Sequence, residues 1–181
     1  RREEDLDRVI AGLESKGIDK LITIGGDDTA YSAYRVSLQA KGRIAVAHVP
    51  KTIDNDLDLP PQIDTFGYQT ARAVGVDIVR NLMTDAKTTR RWYLVVAMGR
   101  SAGHLALGIG KAAGATLTIV PEEFGGKTVP LSTLVDTLVG AIIKRRLDGR
   151  EDGVAVIAEG AALSIDAADL DQLGVIERDA H

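Results

Sequence analysis

Apolar residues along the chain fall into two alternating kinds of run. In residues 3–16, Leu6, Val9, Ile10 and Leu13 recur at helical spacing, and Gly17 marks a stop. Residues 20–24 form a short apolar run closed by Gly25-Gly26. Residues 29–41 are Ala-rich and predict a second helix. Residues 44–49 are apolar again and end at Pro50, and residues 51–65, rich in Asp, Asn and Pro, read as a loop. Over 67–86, Ala71, Val74, Ile78 and Leu82 share one helical stripe. The run 93–98 is closed by Gly99, and 101–113 is a helix of small residues. The run 115–120 is closed by Pro121. Residues 131–147 place Leu134, Leu138, Ile142 and Ile143 on one helical face, and the run 154–158 ends at Glu159-Gly160. Five short runs, apolar on both faces and separated by helices, predict an α/β fold. Its sheet is mostly parallel and flanked by helices on both faces. No fixed-period repeat or low-complexity segment interrupts it. Residues 121–130 read as a crossover, dividing the chain at 120/121 into domains 1–120 and 121–181.

Composition narrows the function classes. The chain has 181 residues, long enough for one well-buried domain. Lys and Arg number 22 against 26 Asp and Glu, a net −4 that gives no drive toward nucleic acid. Cysteine is absent, which excludes a disulfide scaffold, a zinc–thiolate site and a cysteine nucleophile. No apolar run approaches the roughly 18 residues that span a membrane. A cytoplasmic location is expected. The chain opens Arg1-Arg2 without Met and ends Asp179-Ala180-His181, so it reads as a segment of something longer.

In an open parallel sheet, ligands bind beyond the carboxyl ends of the strands. Here those ends carry GGDDT, PKTIDND, MGRS, PEE and EG, and nearly all the unusual polar residues with them. Gly26 allows backbone N–H groups to approach an anion at a helix start. Asp27 and Asp28 would repel a phosphate unless a divalent cation bridges them to it, and either serves equally well as a helix cap. In PKTIDND, a carboxylate beside Lys51 suits proton abstraction from a hydroxyl while the ammonium holds phosphoryl oxygens. The same composition also suits an Asx turn. Arg90, Arg91 and Arg100 flank the third strand, and Arg pairs with phosphate through a bidentate fork. His48 reads as a core or edge histidine, and His104 receives no role. Trp92 and Tyr93 read as core or interface residues, and Glu122 and Glu123 as loop markers.

Taken together, the strings resemble the phosphofructokinase family. GGDDT, PKTIDNDL, TFGYQTA (65–71), MGRSAGHLAL (98–107), IVPEE (119–123) and VIAEG (156–160) follow the family's order and spacing over nearly the whole chain. The resemblance implies Mg²⁺-dependent phosphoryl transfer to the 1-hydroxyl of fructose 6-phosphate. It implies Asp54 as the general base, with Thr52 and Asp56 lining the sugar and phosphoryl site. Asp27 would hold Mg²⁺, and Gly26 and Lys51 the donor phosphates. Met98, Gly99 and Arg100 would contact the sugar phosphate, and Glu159 would accept from sugar hydroxyls. Arg91 looks like the arginine that reaches the 6-phosphate of a neighbouring subunit, which implies a homo-oligomer. Residues 1–120 then read as part of the donor domain and 121–181 as the start of the sugar-phosphate domain.

Two positions bear on the donor. Members that use ATP usually carry Gly where this chain has Asp28, and many carry Gly where it has Lys51. Asp28 with Lys51 resembles the diphosphate-dependent branch. An Asp side chain there would crowd and repel the α-phosphate of a nucleotide, while Lys51 neutralises a compact diphosphate. ATP use and a non-catalytic regulatory subunit are the alternatives; intact Asp27, Lys51, Asp54, Asp56 and Arg100 weigh against the second. The family's glycine loop and first strand have no counterpart here. Its C-terminal arginines and histidine have no convincing match in 160–181, although Arg178 and His181 lie there. The segment alone is therefore expected to be inactive.

Overall fold

The computed structural model describes residues 3–125 and 128–172, so Arg178 and His181 lie outside the described residues. In chain order the elements are α1 (Glu3–Glu14), β1 (Lys20–Gly25), α2 (Asp27–Ala40), β2 (Ala45–Thr52), β3 (Phe66–Gly67) and α3 (Tyr68–Thr89). There follow β4 (Trp92–Ala97), α4 (His104–Ala113), β5 (Leu117–Ile119), a 3₁₀ turn (Pro121–Phe124), α5 (Leu131–Leu147), β6 (Gly153–Ala158), α6 (Glu159–Leu163) and α7 (Ala167–Gln172). All pairings between strands are parallel. The parallel α/β class is as expected, but the runs divide between two sheets, ordered β1-β2-β3 and β4-β6-β5.

The chain forms two compact units. The first comprises residues 1–52 and 57–67, the second residues 53–56 and 68–181. Residue 120, where the sequence pattern places a domain division, falls inside the second unit, just after β5.

In the first unit, α1 and α2 bury Leu6, Ile10, Val36 and Ala40 with Ile44, against Leu21 and Val46 of the strands. Among the described residues, the helices α1 and α2 cover one face of this sheet. Ile22 and Ile24 alternate outward from β1 and are exposed, which is the period-2 geometry of a strand. His48 on β2 contacts the Thr23 hydroxyl through Nδ1 at 2.8 Å, while its buried Nε2 has no partner. It is a half-satisfied sheet residue, in keeping with a structural role.

In the second unit, β6 is the central strand, and Val154 and Val156 are fully buried. They pack with Val79 and Ala86 of α3 and Leu105, Ala106 and Ile109 of α4. A smaller cluster of Ile119, Val129, Leu134 and Ala161 brings α5 onto the sheet. Here too an edge strand shows one bare face: Leu94 and Val96 of β4 are exposed. The short apolar runs therefore mark five of the six described strands and miss β3, and β6 is buried along nearly its whole length.

Candidate active site

In the first unit, β1 ends at Gly25, opposite Pro50 of β2 in the parallel register. Gly26 is the N-cap of α2, with extended backbone and no side-chain cap. Neither acidic residue is therefore the cap. Asp27 and Asp28 occupy the first turn, where the helix dipole favours negative charge, and both are exposed. The structure extends β2 beyond the expected run, to Thr52. Lys51 pairs with Phe66 and Thr52 with Gly67 of β3, and the buried Thr65 hydroxyl donates to the Thr52 carbonyl at 2.7 Å. Lys51 and Thr52 thus sit on ordered strand, not in the loop that the Asp, Asn and Pro content predicts. The Lys51 side chain is exposed.

In the second unit, Asp54 is 7% exposed, one of two buried polar residues among those described. Its Oδ2 lies 3.6 Å from Arg100 Nε. Asp56 is half-buried nearby in sequence. The helix that the small-residue pattern predicts over 101–113 begins three residues later, at His104, with Gly103 as N-cap. Gly99 has φ +152° and Arg100 φ +53°, neither of which a right-handed helix accepts. Glu159, the first residue of α6, directs Oε1 to two N–H groups of this loop, those of Gly99 at 2.9 Å and Arg100. The Ala102 N–H closes a turn onto the Gly99 carbonyl at 2.9 Å. Gly160 is in close contact with the loop: a Cβ there would overlap the Arg100 carbonyl and Ser101.

The second unit thus brings Asp54, Gly99, Arg100 and Glu159 together. Met98 adjoins them and is exposed. Arg91 is not among them. It precedes Trp92 at the amino end of β4, about 20 Å of strand from Arg100, and is exposed. Trp92 and Tyr93 belong to the same strand start. The Tyr93 hydroxyl donates to Asp85 Oδ2, and this bond, more than burial, raises the phenol above its ordinary 10.0.

One residue that sequence reading set aside as a loop marker is part of the assembly. Glu122, in the 3₁₀ turn after β5, accepts the Gly103 N–H on Oε1 at 2.7 Å. Its position after a strand end, in the register shared by GGDD, MGRS and AEG, was the available signal.

Among the described residues, no group of three or more His, Cys, Asp or Glu side chains gathers closely enough to hold a metal ion unaided. Mg²⁺ takes one or two carboxylates and completes its shell with water and substrate phosphate. Exposed Asp27 and Asp28, at a helix start without a side-chain cap, fit an ion that arrives with a phosphate ligand.

Parallel strands with polar residues gathered at their carboxyl ends and glycine-led helix starts define a parallel α/β protein. Residues 1–178 match the family model described as Phosphofructokinase, and the chain belongs to that family. It is 55% identical over 183 residues to the "Pyrophosphate--fructose 6-phosphate 1-phosphotransferase" of Thermotoga maritima, covering all of this chain and 43% of that protein. It is 48% identical over 190 residues to the like-named protein of Naegleria fowleri, again over all of this chain and 44% of the relative. The chain therefore spans less than half the length of these relatives. Among solved structures, phosphofructokinase from Saccharomyces cerevisiae superposes with TM-score 0.75 at 24% identity, covering 96% of this chain and 26% of that one. That likeness supports the fold alone.

Proposed function

We propose that this chain is part of a diphosphate-dependent 6-phosphofructokinase. In this reading, Mg²⁺-diphosphate phosphorylates the 1-hydroxyl of fructose 6-phosphate, giving fructose 1,6-bisphosphate and phosphate. The observation that carries it is donor-side chemistry: Asp28, exposed in the first turn of α2, and Lys51 on the neighbouring strand. In this reading the carboxylate would crowd and repel a nucleotide's α-phosphate, and the ammonium suits a compact, highly charged donor. The 55% and 48% identities to relatives with that activity in their names support the same branch.

The chemistry assigned to the residues is as follows. Asp54 takes the proton of the 1-hydroxyl as its oxygen attacks phosphorus. The bridging P–O bond of the diphosphate breaks and phosphate leaves. Asp54 is buried, and the Arg100 guanidinium lies beside it. Thr52 and Asp56 are assigned to the sugar and phosphoryl site. Gly26 offers a close backbone approach to donor phosphate, and Lys51 offsets the charge of the leaving phosphate. Met98, Gly99 and Arg100 hold the sugar phosphate, and Glu159 accepts from its hydroxyls. Bound through Asp27, Mg²⁺ would neutralise donor oxygens. Arg91 serves the 6-phosphate of a neighbouring subunit in a homo-oligomer. The reaction runs in both directions, because diphosphate and a sugar phosphate ester differ less in transfer potential than ATP and the ester do. It belongs to cytoplasmic glycolysis, and the segment alone does not turn over.

The test is a donor comparison on the full-length parent protein. Fructose 6-phosphate and Mg²⁺ are held fixed, diphosphate or ATP is supplied, and fructose 1,6-bisphosphate is measured. Turnover with diphosphate alone is expected. Turnover with ATP alone refutes the donor assignment, and no turnover with either refutes the enzyme reading.

A further inference from the structure

The proposed reaction gives Glu122 no role. Its described side-chain hydrogen bond reaches the backbone of the loop that carries Arg100. We infer that Glu122 is a positioning residue for sugar-phosphate binding, one of two carboxylates that clamp residues 99–103 from opposite ends. This inference rests on the proposed function for the identity of the ligand.

Three observations support it. First, the N–H groups of Gly99 and Arg100 are taken by Glu159 and that of Gly103 by Glu122, while Ala102 bonds back to Gly99. The two acids come from different strand ends, Glu122 after β5 and Glu159 after β6, and β5 and β6 are paired neighbours. The sheet thus sets the separation of the carboxylates, and the loop is stretched between them. Second, Arg100 holds φ +53°, a backbone state that a non-glycine residue keeps only when its surroundings enforce it. Releasing one end of the loop removes part of that enforcement. Third, Glu122 reaches the N–H of a helix N-cap residue, the bond that a glutamate makes in a capping box, but from a separate segment. Gly103 leaves room for this, since a Cβ there would collide with the Glu122 carboxylate and lie 2.5 Å from Val120 Cβ. A bond of this kind couples the start of α4 to the end of β5. Arg100, three residues upstream, is then aimed by both carboxylates, with its N–H on Glu159.

The experiment uses the full-length parent protein with fructose 6-phosphate and diphosphate. Glu122→Ala is expected to raise the KM for fructose 6-phosphate about five- to tenfold, the size of a lost helix-start hydrogen bond. The KM for diphosphate and kcat are expected to stay within about twofold. Glu122→Gln keeps an acceptor oxygen and is expected to restore most of the sugar-phosphate affinity. Amide hydrogen exchange gives a readout without substrate: Glu122→Ala should lose protection at Gly103 and at Arg100, and Glu122→Gln should keep it. An unchanged sugar-phosphate KM in Glu122→Ala overturns the inference. So does equal impairment by Ala and Gln, or a parallel rise in both KM values, which is the mark of general structural damage. Failure of the wild-type protein to bind or turn over fructose 6-phosphate overturns the functional reading, and the assigned ligand with it. The exchange result then still reports whether the clamp exists.

Discussion

The turns after β1 and β4 begin with similar ingredients and end as different devices. Each follows a parallel strand, contains glycine, carries charge and leads to a helix whose N-cap is glycine: Gly26 for α2 and Gly103 for α4. After β1 the helix starts at once, and Asp27 and Asp28 face solvent in its first turn. After β4 the chain takes a further six residues to reach a helix, and carboxylates from two other strand ends occupy its amide groups. An exposed helix start suits a charged ligand that comes and goes with its metal. In the second loop the N–H groups of Gly99, Arg100, Ala102 and Gly103 are already bonded, and Arg100 is held in a costly backbone state. The contrast predicts that changes at the first turn alter which donor is used, while changes at the second alter how well the acceptor is held.

The largest expected effect separates chemistry from binding at the second turn. Asp54→Ser in the full-length protein should lower kcat about 10²- to 10⁴-fold while leaving the dissociation constant of fructose 6-phosphate within a few-fold. Steady-state kinetics and calorimetry measure the two. A loss of binding in proportion to rate would remove Asp54 from the role of base, and would make its pairing with Arg100 part of the clamp.

A smaller effect tests the rigidity of the clamped loop. Gly160→Ala places a methyl group against the Arg100 carbonyl and Ser101. It should cost about 1–3 kcal/mol of stability, seen as a lower Tm, because overpacking against backbone has no flexible neighbour to yield. Sugar-phosphate affinity should fall with it and diphosphate affinity should not. Equal loss of both would break the distinction between the two turns.

Sequence pattern made the strands and helices legible, because short apolar runs closed by Gly or Pro are what a parallel sheet requires. It did not reveal that the runs divide between two sheets, since pairing partners leave no trace in the periodicity of a single strand. Lys51 and Thr52 were hidden as strand residues by the Asp, Asn and Pro that follow; their order comes from Phe66, Gly67 and the Thr65 hydroxyl, more than a dozen positions away. The late start of α4 is likewise a tertiary effect, since MGRSAG contains nothing but its glycines to oppose a helix. The glutamate of AEG stood out because a carboxylate after a buried strand needs partners. The first glutamate of PEE did not, because a Pro-Glu-Glu turn is self-explanatory until Gly103 is found beside it.

Donor choice tests the exposed turn. Asp28→Gly removes a carboxylate from the first turn of α2 and should raise the ratio of ATP-supported to diphosphate-supported kcat/KM by about tenfold, the equivalent of one modest charge interaction of about 1.4 kcal/mol. The KM for fructose 6-phosphate should stay unchanged. A shift in that KM with no gain of ATP use would show that the turn after β1 serves the acceptor as well.

The smallest effect concerns the far end of β4 and asks how local the clamp is. Tyr93 donates to Asp85, and the bond holds its phenol pKa above 10.0 in the folded protein. A group that titrates higher when folded contributes stability below its unfolded pKa, and loses that contribution as pH rises through the folded value. Thermal stability of the wild type should therefore decline as pH is taken above about 10, and Tyr93→Phe should make that decline shallower while slightly lowering stability near neutrality. The site is exposed, so solvent screening keeps both changes small. Arg100 lies at the opposite end of the strand, beyond Ala97. If the two carboxylates alone fix the loop, Tyr93→Phe leaves the KM for fructose 6-phosphate at the wild-type value. A raised KM would mean that the strand transmits the disturbance along its length, so that the order of the loop belongs to β4 as a whole and not to Glu122 and Glu159.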